Sequence, residues 1–72
     1  MELLTVRFES AGLAIVIGLW QSFGGFSVVE SVEVNEVHVI SSVSFKSSDR
    51  FSAVEFFFSK YSELRKAMRE VS

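Results

Sequence analysis

Leu4, Val6 and Phe8 alternate with Thr5, Arg7 and Glu9. A period of two predicts a half-buried strand over residues 2–9. Ser10-Ala11-Gly12 interrupts it and predicts a tight turn. Residues 13–20 are apolar on both parities, the pattern of a strand buried on both faces or central in a sheet. Gly18 within that run predicts a bulge or a close backbone approach. The Gly24-Gly25 pair marks residues 21–26 as a loop. Val28, Val32 and Val34 then share one parity, with Glu30 interrupting the face, and Val37 and Val39 continue on the other.

A two-residue hairpin turn at Asn35-Glu36 accounts for that slip, although Glu is a poor second residue for a type I′ turn. A bulge in one long strand is the rival. Val37, Val39, Val43 and Phe45 define a further strand, with Ser41 on the same face.

The period changes after residue 48. Phe51, Val54, Phe58, Tyr61, Leu64 or Arg65, and Met68 recur at threes and fours, which predicts a helix over residues 49–71. Ser52 and Glu55 have capping-box spacing, and Asp49 offers a cap one turn earlier. Lys66 and Arg69 suit the negative end of the helix dipole. On a helical wheel the core stripe centres near Tyr61 and holds Val54, Phe57, Phe58, Leu64 and Met68. Phe56 falls about 140° from Tyr61, outside a ~100° stripe. Two readings follow. With Ser52 as N-cap, Phe51 and Phe56 form a hydrophobic staple. Otherwise Ala53, Phe56, Ala67 and Val71 make a second apolar flank for another chain. The expected fold is α+β: a three- to four-stranded antiparallel meander over about residues 2–45, with one C-terminal helix over about residues 49–71 packed on one face. Residues 1–72 form a single small domain.

Size changes the picture. For 8.1 kDa, folding removes roughly 7,200 Å², of which roughly 4,300 Å² is apolar. At ~25 cal/mol per Å² that contributes ~108 kcal/mol, and ordering the residues at ~1.5 kcal/mol each costs ~108 kcal/mol. With no Cys and one His, neither a disulfide nor a structural zinc tips this balance. Association with a second copy is the stabiliser left, so a homodimer is expected. The absence of Cys fits a reducing compartment, and the expected location is cytoplasmic.

The net charge is −2, with 49% hydrophobic residues. Disorder is disfavoured, and so is a general nucleic-acid binder. Residues 1–45 carry one Arg and five Glu, a net of −4, whereas residues 46–72 carry six basic and four acidic residues, a net of +2. The basic helix residues Lys60, Arg65, Lys66 and Arg69 scatter around the wheel among Glu55, Glu63 and Glu70, the pattern of a solvated face.

Residues 10–29 contain no charge and are long enough for a membrane span. Ala14 and Gly18 even have small-xxx-small spacing. Gln21-Ser22, the Gly pair and the acidic flanks Glu9 and Glu30 weigh against it.

No catalytic, cofactor or metal site is expected. His38 among many Ser and Glu residues composes a triad only on paper, because a triad is recognised by geometry. Glu30, Glu33 and Glu36 recur every three residues and read as edge-guarding charge, or as an acidic patch for a basic partner. Trp20, Phe23 and Phe26 around the Gly pair form a candidate docking patch, which joins Ala53, Phe56 and Ala67 as candidate interface. The expectation is a small non-catalytic protein–protein interaction module that binds or occludes a macromolecular partner. Its compact, acidic make-up also suits a virus- or phage-type inhibitor of a host protein, such as an anti-CRISPR. A membrane-associated small protein is the alternative.

Overall fold

A computed structural model describes residues 1–71, and the side chains of residues 1–69. The meander is four-stranded. Strands β1 (Glu2–Ser10), β2 (Leu13–Ser22), β3 (Gly25–Val34) and β4 (Val37–Ser47) lie in sequence order and are antiparallel throughout. Helix α1 (Arg50–Val71) follows and contacts all four strands. The predicted α+β fold is the observed one.

The Asn35-Glu36 question resolves as a hairpin. Both residues have positive φ, 50° and 68°, and Val34 pairs with Val37 across them. Ala11 and Gly12 repeat the geometry between β1 and β2, with φ of 51° and 82°. The two turns sit side by side, and the Asn35 N–H donates to the Gly12 carbonyl at 2.7 Å. Residues 10–29, weighed above as a membrane span, run from the end of β1 through β2 into the first half of β3. Among the described residues no helix is long and apolar enough to cross a membrane.

The core is Ile17, Leu19, Val28, Ala53 and Phe57, with Leu3, Val6, Phe8, Phe26, Phe45, Val54, Phe56, Tyr61 and Leu64 packed around it. In β1 a register shift between Glu2 and Leu4 turns Leu3 against this core and leaves Leu4 41% exposed. Leu4 keeps its place in the alternation, opposite Leu19, but the extra residue of the bulge, Leu3, takes the core contact. Gly18 marks a close approach in β2. A Cβ on it would stand 2.8 Å from Trp20 Nε1, so the indole lies over bare backbone.

The helix stripe is turned from the expected one. Ala53 and Phe57 are its buried centre, while Phe58 is 51% exposed. On the wheel Phe56 and Phe58 stand about 100° to either side of Phe57. Phe56 has a strand ring to cover it, stacking on Phe45 at 4.6 Å and 9°. At the far end Tyr61 meets Phe8, 5.6 Å between ring centres. The helix therefore starts over the end of β4 and crosses the sheet to β1.

Asp49 is the N-cap. Its carboxylate accepts the Phe51 N–H at 3.2 Å and the Ser52 hydroxyl at 2.8 Å, so Ser52 is an inner residue and not the cap. With that register N′ is Ser48, and the Phe51–Phe56 staple does not form; Phe51 is 82% exposed.

Candidate functional site

The sheet has one face under the helix and one face open. Thr5, Arg7 and Glu9 of β1, Val16, Gly18 and Trp20 of β2, Val29, Ser31 and Glu33 of β3, and Ser41 and Val43 of β4 lie on the open face, as the ladder partners and contacts place them. Arg7 dominates its upper end. Its guanidinium donates to both Glu33 oxygens at 3.1 Å, and its Nε donates to Glu9. These bonds, to Glu33 first and then to Glu9, raise the Arg7 pKa further above its ordinary value. Ala14 lies in the ladder between Glu9 and Glu33 and is 4% exposed. Its small side chain leaves room for the ion pair to span three strands above it.

The three glutamates do not form one patch. Glu30 lies beneath the helix side, where it accepts from Ser44 Oγ and stands 3.6 Å from Lys60 Nζ. Glu33 is on the opposite face with Arg7. Glu36 is in the β3–β4 turn. The alternation of strand faces separates the first two, and the hairpin removes the third from any strand.

The aromatic trio divides as well. Phe26 packs against the core, Trp20 lies on the open face at 40% exposure, and Phe23 stands wholly in solvent at the β2–β3 turn. Of the helical candidates, Ala53 has no exposed surface and Phe56 is held by Phe45, whereas Ala67 is exposed. The side chain of Val71 lies outside those described. The small-residue flank for another helix is thus taken up at Ala53 by this chain's own sheet.

His38 Nε2 lies 3.1 Å from Ser41 Oγ, which lies 2.9 Å from Ser31 Oγ. Glu33, the ladder partner of His38, is held by Arg7. A Ser–His pair exists, but the carboxylate that would orient the ring is engaged elsewhere. No cluster of three His, Asp or Glu suited to a metal occurs among the described residues.

What the sequence reading did not single out is the exposed apolar surface of β4. Val37, Val39, Ile40 and Val43 are 64%, 60%, 58% and 52% exposed. The signal was present in the strand order: a meander leaves its last strand at an edge. No protein-family model matches this chain, and neither does any curated protein or solved structure.

Proposed function

We propose that this chain is a non-catalytic protein–protein interaction module that works by binding and occluding, or bridging, a macromolecular surface. The observation that carries the reading is Phe23. An aromatic ring held at the tip of a tight hairpin, with 110% relative exposure, does nothing for the fold. Aromatic side chains on rigid elements are the usual anchors of protein interfaces. Trp20 on the same hairpin supports a second contact on the open face. A narrower form, a virus- or phage-type inhibitor, rests on the compact and acidic make-up alone.

The test is affinity capture from source-cell extract with tagged wild type, Phe23→Ser and Trp20→Ser. Wild type captures a defined protein, Phe23→Ser loses it, and all three retain the same circular dichroism. Equal recovery by wild type and Phe23→Ser overturns the role given to the turn.

A further inference from the structure

The two edges of the sheet differ in kind. The β1 edge carries Glu2, Thr5, Arg7 and Glu9, whereas β4 from Val37 to Phe45 carries no Asp, Glu, Lys or Arg. Natural edge strands are usually blunted by charge or by bulges. β4 has two irregularities, opposite Val28/Val29 and opposite Val32/Glu33. Between them Ile40 to Val43 pair regularly with Val32 to Val29, and their outer side has no partner strand. Among the described residues, exposed apolar side chains are densest on β4 from Val37 to Val43.

We infer that β4 pairs with β4 of a second copy, antiparallel about a two-fold axis near Ser41, to make an eight-stranded sheet. The sequence is self-complementary about that point. Val39 meets Val43 of its partner, Val37 meets Phe45, His38 meets Ser44, and Ile40 meets Ser42. Shifting the axis to Ser42 sets Ser41 against Val43 and keeps only Val39 against Phe45 as an apolar match. An antiparallel edge pair requires the axis to be normal to the sheet, which keeps each face on its own side and puts both helices on one side. Each copy's Phe45 end, under the start of its helix, then lies beside the other's uncovered Val37 end.

Area and symmetry support a second copy as the occupant. The chain exposes 5033 Å², about 500 Å² more than the ~4,500 Å² expected for its mass. That excess is of the order that a small interface removes from one partner. Pairing β4 with β4 closes at two copies, whereas β4 on the charged β1 edge would propagate head to tail. The inference names one partner of the interaction module proposed above but is tested without extract, so a failed capture leaves it standing.

The chain has no Cys, so a single introduced thiol reports its own neighbour. Purified wild type at tens of micromolar should sediment at twice 8.1 kDa. Ser41→Cys should form a disulfide-linked dimer under mild oxidation, many-fold faster than Thr5→Cys on the other edge. Ile40→Lys, at an exposed position, should shift the mass to monomer while keeping its circular dichroism. A wild-type monomer at 50–100 µM (roughly a thousandfold above a tight dimer's dissociation constant) overturns the inference. So does a dimer that survives Ile40→Lys with equal crosslinking at Ser41 and Thr5. Crosslinking through Ser42→Cys but not Ser41→Cys overturns the stated register.

Discussion

β2 and β4 are both long strands with many apolar residues, though β4 alternates them with Ser where β2 runs apolar on both parities. Each is rich in Val, Ile, Leu or Phe, and each lies in one sheet of the same small chain. Yet β2 holds Ile17 and Leu19 at 0% and 1% exposure, while four large apolar residues of β4 are more than half exposed. The difference is position. β2 has a strand on either side and the helix above it. β4 has a strand on one side only, and the helix leaves it behind after covering Phe45. Apolar content thus states what a strand can bury, and topology decides what it does bury.

The comparison breaks most severely at the helix. Phe57→Ala removes a ring that is 1% exposed, for which a loss of ~3–5 kcal/mol is expected. That is a large share of the roughly 4–11 kcal/mol available to a chain this size. The urea midpoint at pH 7 should fall by a large fraction of its wild-type value. Phe56→Ala should cost less, ~1–3 kcal/mol, because the half-buried ring loses area and its stack on Phe45. A drop that does not vary with protein concentration would assign Phe56 to the monomer core. Glu36→Gly should raise stability by about 0.5–1 kcal/mol, since Glu36 holds a φ of 68° that Gly adopts without strain.

On the β4 side of the comparison, Ile40→Ser should change the stability of dilute protein by no more than about 0.5 kcal/mol. A loss as large as that of Phe56→Ala would mean that β4 is buried after all. The last test reads how an effect changes with pH, at the cap. The Asp49 carboxyl is held below the usual carboxylate range by the Ser52 hydroxyl and then by the Phe51 N–H. A carboxylate whose pKa is lower folded than unfolded contributes stability above the unfolded value of ~3.9, and loses it as pH falls through the folded value. The melting-temperature gap between wild type and Asp49→Ala should therefore be present at pH 7 and shrink below about pH 4.

The strands were legible in the sequence because each is read from its own residues. Alternation gave β1, the double-parity run gave β2, and the parity slip at Asn35-Glu36 located the hairpin. What was not legible depends on distant partners. Leu3 replaces Leu4 because β1 slips against β2, which no pattern within β1 records. Phe56 and Phe58 are equivalent on a wheel about Phe57, and Phe45, eleven positions before Phe56, chooses between them. For the same reason Trp20, Phe23 and Phe26 looked like one patch. Closeness along a hairpin does not bring side chains together when one faces the core, one the open face and one the turn tip.

The order of elements also has a consequence for how the chain folds. Every strand pairing joins sequence neighbours, so each hairpin can close on its own within ~1–10 µs. The helix that covers the sheet follows the strands and touches all four of them. Ile17, Leu19 and Val28 are therefore covered only when sheet and helix meet, and a sheet without its helix is an uncovered apolar surface. Weakening the helix alone should thus favour aggregation of the unfinished sheet, read as light scattering during refolding.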